Sequence, residues 1–205
     1  MTDAAFWDKI APKYATQPIA NVDAYEKTLA RVSTYLGAQT RALELGCGTG
    51  STALRLFPGT EHYVGTDISE GMIDIARSKT ADATSPQPEF RVGGVAVEDY
   101  RDDRFNTVLA FNLLHLVPDF DAALATIHSL LPKDGLFISK TPALANKWYL
   151  RPLIFGMQVI GKAPHVTFIS VDAIDARIAA AGFRLVETGL YPPSAPSRFV
   201  VARKV

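Results

Sequence analysis

Three glycines, Gly46, Gly48 and Gly50, follow the short apolar run Arg41–Leu45, and an acid, Asp67, closes the next such run, His62–Asp67. Together these are what a nucleoside site needs. Glycines permit a tight turn and let the backbone approach a ligand closely. The helix expected after them opens with unpaired N–H groups. An acid at the end of the neighbouring strand, 21 residues after Gly46, accepts both ribose hydroxyls. The dinucleotide pattern GxGxxG places its third glycine five positions after the first. Here Ser51 stands there and the third glycine comes one residue early, which disfavours a nicotinamide oxidoreductase. The bland alternative, a glycine turn without a ligand, is opposed by strand, glycines, helix, strand and terminal Asp falling in order.

Other groups could move protons. His115 lies three residues after Asn112, in a loop at the carboxyl ends of the strands, where open α/β sheets bind ligands. It titrates near neutrality and suits general-base work. The competing reading packs it against the helix that begins near Phe120. His165 is a weaker candidate, and His62 and His128 read as structural or solvated. The lone cysteine, Cys47, has no local base or cation to activate it and reads as a small apolar packing group. It cannot form an internal disulfide, which fits a reducing, cytoplasmic setting. No spacing of His, Cys, Asp or Glu suits a metal.

The elements that position these groups are legible from periodicity. Val22, Tyr25, Leu29, Val32 and Leu36 recur at helical spacing, and Gly37 stops them. Strands are expected at Arg41–Leu45, His62–Asp67, 88–92, 106–112 and 135–141. Ser69 and Asp119 cap helices, the second carrying Phe120, Ala123, Leu124, Ile127, Leu130 and Leu131 on one face. Ser170 caps a last helix that ends at Gly182. Residues 183–191 and 197–205 then form an antiparallel pair, because no crossover helix separates them. Alternating strands and helices imply one α/β domain over residues 1–205, with N-terminal helices at 1–37. Basic and acidic side chains number 21 each, which argues against a nucleic-acid partner. No secretory signal pattern is visible at the N-terminus.

With these residues in place, the run LELGCGTG (43–50) resembles motif I of class I S-adenosylmethionine-dependent methyltransferases of the small-molecule type. VGTDIS resembles their second motif, RFNTVLAFNLLHLVPD their fourth strand and its loop, LLPKDGLFISKT the turn before strand five, and AAAGFRLVETGLY with SRFVVARK their closing unit. The resemblance implies a Rossmann-like, mostly parallel sheet of seven strands, ordered 3-2-1-4-5-7-6, strand seven antiparallel, with helices on both faces. It implies S-adenosyl-L-methionine as cofactor and S-adenosyl-L-homocysteine as product. The implied cofactor contacts are Glu44, Gly46, Cys47, Gly48, Asp67 on ribose, Ile68 against adenine, Met72, Val97, Glu98 and, facing the methionine portion, Asn112. Tyr14 resembles a Tyr that closes over the cofactor and stands beside His115 as a catalytic candidate; packing is its other reading. Two departures stand out: Val95 replaces an Asp often found near adenine, and Asn106 replaces an Asp before strand four.

Residues 146–170, NKWYLRPLIFGMQVIGKAPHVTFIS, are the least ordinary stretch. Their longest uncharged apolar piece, Leu153–Gly161, is too short to span a bilayer, and Arg151, Pro152, Lys162 and Pro164 interrupt it on either side. From 135 to 171 there is no acid, while Lys140, Lys147, Arg151 and Lys162 are present. The expectation is a lid-like insertion over residues 142–170, with apolar residues on several sides covering a pocket. Arg151, Trp148 and His165 would contact a small, partly apolar and anionic acceptor, methylated on O or N. Other readings are a lipid or quinone-like acceptor met at the membrane surface, with peripheral membrane contact, and a cofactor-binding protein without catalysis.

Overall fold

The computed structural model describes residues 3–96, 100, 104–191 and 197–205. Its centre is a strand, β1 (Arg41–Leu45), with four consecutive buried residues. Its neighbours β2 (His62–Asp67) and β4 (Thr107–Phe111) are buried to the same degree. Strands covered on both faces read as unbroken apolar runs, which is why this part of the sheet is visible in the sequence. Outside them lie β3 (Glu89–Val92), β5 (Leu136–Pro142), β6 (Phe183–Leu190) and β7 (Ser197–Lys204). The order is β3-β2-β1-β4-β5-β7-β6, as expected. All pairs are parallel except β7 with β5 and with β6.

The chain winds outward from β1 to β3, then returns past β1 to β4. At that reversal successive connections leave in opposite directions, and a crevice opens at the carboxyl ends of β1 and β4. Helices α1 (Asp3–Thr16) and α2 (Val22–Ser33) precede the sheet. Helices α3 (Ser51–Leu56), α4 (Glu70–Ser78) and α5 (Phe120–Leu130) make the parallel crossovers, and α6 (Arg151–Val159) and α7 (Val171–Ala180) precede β6. The pleat sends alternate residues to two cores. Val108, Phe137 and Val200 meet Leu124 and Ile127 of α5 and Ile174 of α7. Ala42, Leu109 and Ile138 meet Leu29 of α2, Ala53 of α3 and Ile73 of α4.

Side chains start the helices as read. Ser69, Asp119 and Ser170 accept from the backbone N–H of Met72, Ala122 and Ala173. Strand ends shift by a residue, and α2 ends nearly a turn early, at Ser33 and not Leu36, because its last turn tightens. Tyr35 donates to the Val32 carbonyl at 2.9 Å, three residues back. Asn106 also gains an explanation. Its Oδ1 accepts from Arg41 N at 3.0 Å and its Nδ2 donates to the Gln39 carbonyl at 2.8 Å. An amide can do both, whereas an ionised carboxylate only accepts.

Gly50 begins α3 in the left-handed region, φ 76°. A Cβ there would stand 2.6 Å from Phe90 Cζ and 2.9 Å from Ala76 Cβ. Gly50→Ala therefore combines backbone strain with overpacking and is expected to cost about 2–4 kcal/mol of stability. Urea unfolding measures this; a loss below about 0.5 kcal/mol would show that the α3–α4 contact yields freely.

Candidate active site

The crevice at the reversal is a cleft of about 250 Å³. Its floor is the β1 loop. Gly48 has φ 55°, and a Cβ on it would meet only the Tyr14 ring, at 3.8 Å, so the loop backbone lies open to the cleft there. Asp67 ends β2 beside it. Its Oδ2 accepts from Gly48 N at 3.0 Å and its Oδ1 from Ser69 N at 2.9 Å. Each oxygen keeps a further lone pair, so the carboxylate can accept two more donors, as a ribose diol requires. Burial raises its pKa against the pull of those two amides.

Glu44 lies deeper and is nearly fully buried. Tyr63 donates its hydroxyl to Glu44 Oε2 at 2.8 Å. Burial, reinforced by the Asp67 charge, pushes the Glu44 carboxyl up to about 8, and the Tyr63 bond opposes that rise. Cys47 sits in the apolar core beside the loop, and burial holds its thiol well above the usual range, so it is an uncharged packing group that also lines the cleft. Ile68, Met72 and Val95 line the cleft near the ends of β2 and β3, and Asn112, at φ 54°, leads off from β4.

Helix α1 closes one side. Trp7 and Tyr14 line the cleft and meet edge to face, with ring centroids 6.3 Å apart. The helix is fastened by Asp8, whose Oδ1 accepts from Ser69 Oγ at 2.6 Å and from Gly71 N at 3.1 Å. The same Ser69 hydroxyl caps α4. The Ser69 bond holds the Asp8 carboxyl below its ordinary range. Lys79 braces the glycine loop from behind, donating to the Thr49 carbonyl at 2.6 Å and to Ser51 Oγ at 3.0 Å. Neither Asp8 nor Lys79 stood out in the sequence; each is far along the chain from its partner, and no spacing rule links them.

Of the residues expected at the site, the structure brings together Tyr14, Glu44, Gly46, Cys47, Gly48, Asp67, Ile68, Met72 and Asn112. Val97 and Glu98 lie outside the described residues. His115 is in the 3-10 turn Leu114–Leu116, and its neighbour Leu116 lines the cleft while His115 does not. Its carbonyl accepts from Thr167 N at 2.7 Å, its Nδ1 is buried without a hydrogen-bond partner, and burial lowers its pKa to about 4. Trp148, Arg151 and His165 do not line the cleft. The Arg151 guanidinium lies over the Phe168 ring, 5.1 Å from its centroid, and His165 N donates to Asp3 Oδ1 at 3.4 Å. The expected cover over the pocket takes a different form: no residue of α6 is buried or lines the cleft. Among the described residues, the lining holds three acids, Asp3, Glu44 and Asp67, and no Lys, Arg or His. An anionic acceptor held by Arg151 therefore finds no cation at the cleft.

The Glu44 carboxyl yields a pH prediction. Its folded pKa is raised above the ordinary value near 4.5, so its favourable contribution is complete below that value. It is lost as pH rises toward about 8. Urea unfolding across this window is expected to show wild-type stability falling relative to Glu44→Gln; parallel curves would mean that Glu44 is already ionised in the fold.

Comparison with known proteins bears on this cleft. The family model described as a methyltransferase domain matches residues 19–188. A ubiquinone biosynthesis O-methyltransferase of Azorhizobium caulinodans is 27% identical over 203 aligned positions, covering 90% of this chain and 78% of that protein. A trans-aconitate 2-methyltransferase of Variovorax paradoxus is 31% identical over 120, covering 57% of this chain and 43% of that protein. The matched stretch is 78% of the ubiquinone enzyme but 40% of a Bacillus subtilis methyltransferase and 4% of a fungal polyketide synthase, so the chain spans less than half the length of several curated relatives. Among solved structures, magnesium protoporphyrin IX methyltransferase from Synechocystis with bound S-adenosylhomocysteine superposes with a TM-score of 0.71 at 19% identity. That superposition covers 98% of this chain and 93% of the other.

Proposed function

The chain belongs to the methyltransferase-domain family, a class I S-adenosylmethionine-dependent methyltransferase by its fold and motifs, and we propose that its acceptor is a small, largely apolar molecule methylated on oxygen or nitrogen. The observation that carries this reading is the composition of the cleft. Its floor and one end present Gly48 and the Asp67 carboxylate. Its other walls, Trp7 and Tyr14 of α1 with Leu113, Leu116 and Val117 after β4, are mostly apolar.

The residues present fit the cofactor. Asp67 has acceptor capacity for the ribose diol, Ile68 and Val95 offer apolar faces to adenine, and Glu44 and Asn112 stand where the methionine portion would lie. When bound, S-adenosylmethionine supplies a methyl group already activated on a sulfonium. The protein's task is then alignment, which can lower a barrier by about 7–11 kcal/mol. Three carboxyl groups and no described cation in the lining suit a positively charged donor. Trp7 and Tyr14 wall the space from α1, the Tyr14 ring standing over Gly48. Burial, with the Asp67 charge second, raises the Tyr14 pKa, so its hydroxyl stays protonated and serves as a hydrogen-bond donor more readily than as a base. His115 is neutral at pH 7 but stands behind the lining, so we assign it to positioning the loop of Leu116 and Val117.

The relatives support a small acceptor without naming it, since one is an O-methyltransferase of ubiquinone biosynthesis and another methylates trans-aconitate. Incubation with methyl-labelled S-adenosylmethionine and a cell extract, followed by phase separation, tests the reading. Label is expected in the organic phase. Label in protein or nucleic acid would overturn it. Asp67→Ala is expected to weaken S-adenosylhomocysteine binding by roughly 10–100-fold, the loss of one or two hydrogen bonds to a charged group. Calorimetry giving wild-type affinity would move the ribose site elsewhere.

A further inference from the structure

From Trp148 to Ile160 the chain exposes what a folded protein usually hides. Trp148, Tyr149, Leu153, Phe155, Val159 and Ile160 are each between 60% and 71% exposed. Among the described residues, the one other large apolar side chain exposed to that degree is Val205. Neither α6 nor the 3-10 turn before it (Ala145–Leu150) buries any residue. At helical spacing Pro152, Phe155, Gly156 and Val159 share the outward side, while Ile154, Met157 and Gln158 are partly covered on the inward one. Gln158 Nε2 fastens that inward side by donating to the Pro164 carbonyl at 2.8 Å. An apolar face of this extent marks a binding surface.

The charges within the segment are of one sign. Lys147, Arg151 and Lys162 are exposed, and residues 135–171 contain no acid. The fourth cation, Lys140, turns inward and donates to Thr28 Oγ1 at 3.1 Å. An exposed apolar helix face, cations at its margins and a Trp–Tyr pair at one end are the features of an element lying in the plane of a membrane surface. A second copy of this chain is a poorer occupant. A two-fold contact on this face would set the same cations against their own images with no carboxylate in the segment to answer them. No described helix is long and apolar enough to cross a membrane, so the contact would be in-plane.

We infer that α6 and the 3-10 turn before it dock the protein on an anionic lipid bilayer. The segment returns to the body at the rim of the cleft: Thr167 N donates to the His115 carbonyl, and His165 N to Asp3, which lines the cleft. Docking would therefore set that rim near the lipid headgroups. The inference does not depend on the identity of the acceptor, nor on catalysis.

The test is co-sedimentation of the full chain with phosphatidylcholine vesicles, with and without phosphatidylglycerol. Binding is expected to the anionic vesicles only, and to fall as salt is added. Phe155→Ser with Val159→Ser is expected to weaken it by about tenfold or more. Lys147→Ala with Lys162→Ala should weaken it by roughly 25-fold, at ~5-fold per cation. Unchanged urea midpoints in both variants would show that the fold is intact. Four results would overturn the inference: no binding to either vesicle, equal binding to both, wild-type binding by both variants, or self-association abolished by the Phe155/Val159 pair. None of these bears on whether the cleft binds S-adenosylhomocysteine.

Discussion

The Asp67 carboxylate holds the site together. It ends one strand, and its two oxygens take backbone N–H groups from two different loops, at Gly48 and Ser69. The geometry depends on the parallel register of β1 and β2, which pairs Leu45 with Thr66. Cys47 N continues the ladder by donating to the Thr66 carbonyl at 2.8 Å. A slip of one residue would send Asp67 to the opposite face of the sheet and leave the glycine loop without its anchor. Through Ser69 the same network reaches Asp8, so the wall formed by α1 is fixed relative to the floor.

That anchor has an electrostatic cost. The Asp67 charge raises the energy of the ionised form of Glu44, and burial raises the pKa of both carboxyl groups. Glu44 responds by keeping its proton into the neutral range, with the Tyr63 hydroxyl at one oxygen. A cation in the cleft would reverse this balance by favouring the ionised carboxylates. The site is thus biased toward a positively charged ligand, which agrees with a sulfonium donor and leaves an anionic acceptor without a partner in the lining. The walls after β4 and along α1 are mostly apolar.

The two ends of the molecule manage apolar surface differently. Around the sheet it is divided between two cores, one beneath α5 and α7 and the other beneath α2, α3 and α4. Along α6 it faces outward beside Lys147, Arg151 and Lys162. The residues that follow α6 touch both the His115 loop and α1. The exposed face of α6 and the rim of the cleft are therefore joined through a short stretch of chain.

The sequence alone determined the sheet and the cofactor end of the cleft. Buried parallel strands are continuous apolar runs. The glycine spacing and the strand-terminal Asp67 are local patterns, and the caps Ser69, Asp119 and Ser170 each sit three residues before the N–H they satisfy. Gly48 and Asp67 could be named because adjacent parallel strands must present their carboxyl ends together, whereas Glu44, Ile68 and Asn112 were implied by the family resemblance. Tertiary structure alone decided the rest. Asp8 and Lys79 act across 61 and 30 residues of chain, distances over which no periodicity carries information. His115 follows Asn112 closely, yet the 3-10 turn points its neighbour Leu116 into the cleft and buries the imidazole behind it. The segment from 146 to 170 has the composition of a lid, but composition does not say which side of a helix meets the body. Only the packing shows its apolar face turned outward, because the path of a connecting segment is set by where its two ends are held and not by its own residues.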